Sequence, residues 1–233
     1  DYKVAGSPIP TVGAVPSPTK TGATGYLFDG TAGIISIPYS STLNQAIIPA
    51  TIGTTQDATK PFTVEMWAYY LTVPTAGYDL AGIYNGPGQY NWLLEGINAQ
   101  LCFYPGSGKG ACYSNAITTG KWLHIVATYT GANAANNTDV ALYINGVLLS
   151  PDSAASAAMS PKAVASSVAI GGSYATGLKT FAGYMSEFAM YSTALSAAKV
   201  QNHYQASLEA KTTTILATPG NNIVNLTWAA PSV

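Results

Sequence analysis

From residue 26 onward the sequence breaks into short runs of strand-type residues, almost every one followed by a turn. The runs lie at 26–28, 34–37, 62–70, 79–84, 92–97, 100–104, 111–114, 122–130, 139–144, 147–149, 167–171 and 181–191. Several alternate apolar with polar residues, as a strand with one buried face must. Ile144, Asn145 and Gly146 separate two of them. Asn-Gly accepts positive φ at both positions and marks a type I′ hairpin. Many short strands with little helix predict an all-β sandwich or barrel.

The ends of the chain break this pattern. Residues 1–25 are rich in Pro, Gly, Thr and Ser, and Pro8, Pro10, Pro16 and Pro18 exclude a helix or a central strand there. They read as an extended arm or linker. One short amphipathic helix is expected after Leu195. Ser196 is placed to cap it, Leu195 and Val200 have the spacing of a hydrophobic staple, and Val200, Tyr204 and Leu208 form one stripe. Near the end, Val224, Leu226 and Trp228 alternate with Asn225 and Thr227, which predicts a half-buried strand. A strand pair of that size makes no core of its own, so it must pair with the main domain, with another copy or with further sequence.

Composition removes several function classes. Charged residues are 8% of the chain, its nine basic residues are all Lys, and the net charge is −1. That balance argues against nucleic-acid binding, which needs a basic patch to displace counterions. No apolar run approaches the roughly 18–20 residues of a membrane helix, so no membrane insertion is expected of this segment. The chain begins Asp1-Tyr2-Lys3, without a leader pattern, and reads as a mature or excised segment. A surface this poor in charge does little to oppose packing against copies of itself.

Cys102 and Cys112 flank a Pro/Gly-rich stretch, 103–111, with strand-like residues on either side. A hairpin there would bring them together as a disulfide, which implies an oxidising compartment; the alternative is two separate buried thiols. His124 and His203 have neither a metal-ligand spacing nor a nucleophile beside them, and each reads as a core or surface histidine. Glycoside hydrolysis needs two carboxylates about 5–10 Å apart. No strand carries such a pair, because neither Glu65, Glu95 nor Glu187 has a second acid on its own face. A pair assembled from different strands stays open. Glu65 and Glu187 sit inside apolar strands, where burial and hydrogen bonding in a structural role is the expectation.

Several blocks, taken in order, resemble a laminin-G-like domain of the concanavalin A-like lectin/glucanase superfamily. They are Leu27-Phe28-Asp29-Gly30, Phe62-Thr63-Val64-Glu65-Met66-Trp67, Lys121-Trp122-Leu123-His124 with Leu142-Tyr143-Ile144-Asn145-Gly146, and Phe181-Ala182-Gly183-Tyr184 through Tyr191 with Ala194-Leu195-Ser196. The resemblance covers residues 26–208. It implies a two-sheet antiparallel jelly roll and a non-catalytic extracellular module. The stretch 217–231 resembles the first strands of a fibronectin type III domain, so 209–233 is expected to be a linker and the start of a second module. Relatives that hold Ca2+ use rim carboxylates. Ser186 and Thr130 stand where the family has Asp, which leaves Asp29 and Asp139 as candidate ligands, or alternatively as turn caps.

Ligand binding is expected in the stretch 78–92. Tyr78, Tyr84, Tyr90 and Trp92 offer aromatic faces, and Asn85, Gln89 and Asn91 offer amides that read hydroxyls. The competing reading places Tyr84 and Trp92 in strands that fill the core. Two functions follow. One is a module that recognises carbohydrate or a cell-surface ligand in a secreted, modular protein. The other is a self-associating structural subunit of a filament, sheath or virion that uses its arm and tail between subunits.

Overall fold

The structure is a computed structural model and describes residues 3–5, 11–16, 24–31, 33–37, 57–84, 90–134, 136–152, 158–160, 167–173, 179–209, 216–219 and 224–227. Two seven-stranded antiparallel sheets are formed by the described residues. In the first the order is β1 (Lys3–Ala5), β4 (Ile34–Ile37), β13 (Val168–Ile170), β6 (Tyr78–Tyr84), β7 (Tyr90–Ile97), β8 (Gln100–Gly106) and β9 (Lys109–Tyr113). In the second it is β12 (Val147–Leu148), β11 (Val140–Ile144), β10 (Trp122–Tyr129), β5 (Phe62–Tyr70), β14 (Ala182–Tyr191), β3 (Thr24–Asp29) and β2 (Thr11–Pro16). They form a sandwich consistent with a jelly roll.

Alternation decides which side chains meet between the sheets. On β5, Phe62, Val64, Met66, Ala68 and Tyr70 enter the core. On β10, Leu123, Ile125, Ala127 and Tyr129 do the same. Phe62 packs against Trp92, Phe103 and Tyr129 with ring centroids 6.4, 5.8 and 5.9 Å away, so its ring joins strands of both sheets. Tilted and edge-to-face pairs of this kind add to the burial of large apolar surfaces.

The Asn145-Gly146 turn forms as the sequence indicates, with φ of 52° and 78°, and it pairs Ile144 with Val147. Helix α1 (Ala197–Glu209) is capped by Ser196, whose hydroxyl accepts from the Lys199 N–H at 3.3 Å. Val200 is fully buried against Val126 and Tyr143, with Leu195 packed beside it. The helix therefore lies on the outer face of the second sheet.

Two findings differ from the sequence reading, and a third extends it. The proline-rich start contributes two strands, β1 on the edge of one sheet beside β4 and β2 on the edge of the other beside β3. Edge positions tolerate proline because one side of the strand needs no N–H. Glu187 is exposed, not buried; the register of β14 shifts between Ser186 and Ala189, and Glu187 sits in that bulge with φ of 53°. At the end of the chain, β16 (Val224–Thr227) pairs with β15 (Leu216–Pro219) in a two-stranded sheet of its own.

Candidate functional site

Strands β6, β7 and β8 lie side by side, and the face they turn away from the core gathers most of the polar chemistry of the first sheet. Tyr84 pairs in register with Tyr90, their rings 6.1 Å apart, and Tyr90 meets Tyr104 at 5.9 Å. Tyr90 and Tyr104 are half-buried and Tyr84 is buried. Gly110 on β9 has no side chain where a Cβ would collide with the Tyr104 ring. Beside Tyr104, Cys102 and Cys112 face each other across β8 and β9 and form the disulfide.

The same face carries two acids from different strands. Asp79 on β6 is the register partner of Glu95 on β7. Lys179 lies 3.2 Å from Glu95 Oε2, and its carbonyl accepts from the Asp79 N–H at 2.9 Å. Asp79 is fully buried. Burial pushes its carboxyl well above the ordinary range; a Ser173 hydrogen bond and Lys179 pull it back, while the Glu95 charge and a Glu95 hydrogen bond push it higher. The arrangement offers one lysine for two carboxyl groups, which favours the neutral form of Asp79. Burial raises the three phenols, with the Glu95 charge adding to the shift in each, and Tyr104 reaches about 12.

Of the stretch expected to bind a ligand, Tyr84 and Tyr90 come together on this face. Trp92 does not join them: it is fully buried in the core, and the register shift that opposes Ile83 to Trp92 and Tyr84 to Tyr90, skipping Asn91, separates it from Tyr90. Asn91 is also buried. Tyr78 sits at the far end of β6, in the core. Asn85 and Gln89 lie outside the described residues. Tyr104, Lys179 and the Asp79–Glu95 pairing escaped the sequence reading. The pairing depends on the β6–β7 register, which a linear pattern does not state.

A second polar cluster sits beneath α1. His124 Nε2 on β10 lies 2.7 Å from Glu65 Oε1, and His203 Nδ1 on the helix lies 3.0 Å from Glu65 Oε2. Burial opposes the charge on Glu65, but hydrogen bonds from His124, His203 and Tyr191 together outweigh it and hold the carboxyl down to about 2. Tyr204 stacks on both Trp67 and His124 at 5.9 Å. Glu65 is thus hydrogen-bonded, as expected of it. That both histidines of the chain serve it was not legible, since their partners are distant in sequence.

The two candidate Ca2+ ligands are already engaged. Asp29 closes a turn, accepting from the Thr31 N–H at 3.0 Å and the Thr31 hydroxyl at 2.8 Å. Asp139 Oδ1 lies 2.8 Å from the ammonium of Lys109, both side chains fully buried, and its Oδ2 accepts from the Ala134 N–H at 3.0 Å. The same ammonium donates to the carbonyls of Ala134 and Asn136 at 2.8 and 2.9 Å. A cation already fills this cradle, so the residues do not fit a Ca2+ ion. Among the described residues no group of three or more His, Cys, Asp or Glu is arranged to hold a metal.

Residues 44–201 match the family model Laminin_G_3, described as Concanavalin A-like lectin/glucanases superfamily. No match was found among curated proteins. The binding domain of botulinum neurotoxin DC in complex with rat synaptotagmin II superposes with a TM-score of 0.60 at 12% identity, over 92% of this chain and 48% of that one. The same toxin domain in complex with SialylT gives 0.59 at 11% identity, over 92% and 48%. Trypanosoma rangeli sialidase in complex with 2,3-difluorosialic acid gives 0.53 at 20% identity, over 81% and 28%. The chain spans about half the length of the toxin chains it matches. At these identities the likeness shows the fold alone.

Proposed function

The chain belongs to the Concanavalin A-like lectin/glucanases superfamily, and we propose that it is a non-catalytic extracellular module that binds carbohydrate or another cell-surface ligand within a larger modular protein. The observation that carries this reading is the tyrosine face. Tyr84, Tyr90 and Tyr104 come from three adjacent strands and lie beside an ion pair of zero net charge. Aromatic faces bury the C–H surface of a sugar while their hydroxyls and the ion pair reach its oxygens. The toxin binding domains that share the fold are described in complex with rat synaptotagmin II and with SialylT, which agrees with a binding role. The disulfide suits an oxidising compartment. Among the described residues no helix is long and apolar enough to cross a membrane.

A glycan array with the intact chain tests the reading. Binding to a defined glycan class that is lost in Tyr90→Ala and Tyr104→Ala variants of unchanged melting temperature supports it; an array without hits, or hits indifferent to both variants, counts against this face. The hairpin β15–β16 pairs with neither large sheet, and that separateness supports reading it as the start of a fibronectin type III-like module.

Self-assembly into a filament, sheath or virion is the second reading. It is favoured by the edge strands β1 and β2, which the proline-rich start contributes to both sheets and which an adjacent copy can supply equally well. Light scattering across a concentration series separates the two: a monomer at every concentration removes the assembly reading.

A further inference from the structure

The core is left open on one side of the sandwich, where β3 and β14 of the second sheet face β4 and β13 of the first. A groove of about 280 Å³ lies there. Ile35, Ile37 and Phe188 line it, packed against the core without being enclosed by it, and Tyr26 beside them is 41% exposed. Polar side chains enter the lining only at Tyr26, Ser186 and Glu187. A dry cavity of roughly 150 Å³ accepts a benzene ring, so this groove has room for two aliphatic side chains. Glu187 supplies its one charge and is exposed in the bulge of β14.

On its other side the second sheet ends in an exposed apolar tip. Val147 and Leu148 form β12, its edge strand, and at 63% and 55% they are the most exposed large apolar side chains among the described residues. The Asn145-Gly146 turn before them brings no charge. Lys199 stands exposed on the first turn of α1, the helix that neighbours β12. Strands β11, β10 and β5 lie between β12 and β14. Four strand spacings put the tip about 19 Å from the groove of its own chain, out of reach. One side of the molecule therefore carries an apolar tip near a cation, and the other an apolar groove with an anion.

We infer that Val147 and Leu148 of one copy enter the groove of a second copy, with Lys199 facing Glu187, so that copies join head to tail. This contact rests on the assembly reading and gives it a surface other than the edge strands β1 and β2. It is heterologous: a joined pair still has one free tip and one free groove, and the contact propagates into a filament unless the rotation closes a ring. Apolar burial supplies the attraction, and the opposite charges fix the register. Two side chains in a groove fall well short of the roughly 1,200 Å² of a stable interface, so each contact is weak and assembly requires concentrated protein.

Sedimentation and light scattering of the intact chain up to millimolar concentration test it, with melting temperatures confirming that each variant folds. Association that grows with concentration is expected. The double variant Val147→Asp/Leu148→Asp is expected to weaken it roughly tenfold or more, the loss of one buried aliphatic side chain. Glu187→Lys and Lys199→Glu are each expected to weaken it about two- to fivefold, and the two together to restore it. A monomer at every concentration overturns both this contact and the assembly reading. Association that is indifferent to the tip variant, or that the paired charge reversal leaves as weak as the single ones, overturns this contact alone and leaves assembly through β1 and β2 standing.

Discussion

Burial pushes both Glu65 and Asp79 upward, but only at Glu65 do hydrogen bonds outweigh it, and the difference is measurable as a pair of slopes. Glu65 is held down to about 2 from an ordinary 4.5. Its ionised form is favoured in the folded state, so its contribution is complete above about pH 4.5 and disappears as the pH falls toward 2; the shift is worth roughly 2–3 kcal/mol. Glu65→Gln is expected to lower stability at neutral pH and to flatten this acid loss in urea melts run between pH 2 and 5. Asp79 is raised. Both states are protonated below about pH 3.9, and above it only the unfolded chain ionises freely, so stability falls as the pH climbs toward the raised value. Asp79→Asn is expected to abolish that fall, and an unchanged slope from pH 4 to 7 would show that Asp79 is not held neutral. Lys109 is the third residue of this kind, an ion pair buried on both sides. Lys109→Met leaves Asp139 and two carbonyls without their cation, and a loss of about 3–5 kcal/mol is expected in denaturant titrations. Sequence alone gives no hint of this lysine's position, because lysine is almost always exposed.

Among the elements, legibility follows the strength of the alternating pattern. β5 and β10 each place a residue on the core at every second position over a long run, and both are read from the sequence almost to their ends. β1 is three residues long and β2 ends in a proline, so neither shows such a pattern, and each pairs on one side only, as an edge strand. The helix is legible because Ser196, Leu195 and Val200 are local signals. The tyrosine face is half legible: Tyr84 and Tyr90 lie close in sequence, whereas Tyr104 joins them only through the register of β7 with β8. The disulfide ties β8 to β9 across ten residues of sequence. The chain-entropy model gives about 3 kcal/mol for closing a loop of this length. The double variant Cys102→Ser/Cys112→Ser is expected to melt lower than the native chain by that equivalent, and to melt identically with and without reductant.

For the whole molecule, the hydrophobic core joins the two large sheets, and the terminal hairpin pairs with neither. A chain ending after Glu209 is therefore expected to keep the melting temperature of the intact sandwich within about 2 °C. A fall of the size produced by a single core mutation, some 2–4 °C for each kcal/mol, would show that the hairpin docks on it. Lys109 also has a consequence at this scale. The segment that runs through Ala134, Asn136 and Asp139 is drawn together by an ammonium attached to the chain itself. A diffusible ion would make the shape of that rim depend on supply, so that chelators could strip it and dilution could loosen it. Here the counter-charge is encoded, arrives with folding and leaves only with unfolding, which keeps the rim indifferent to the mineral content of whatever medium surrounds it.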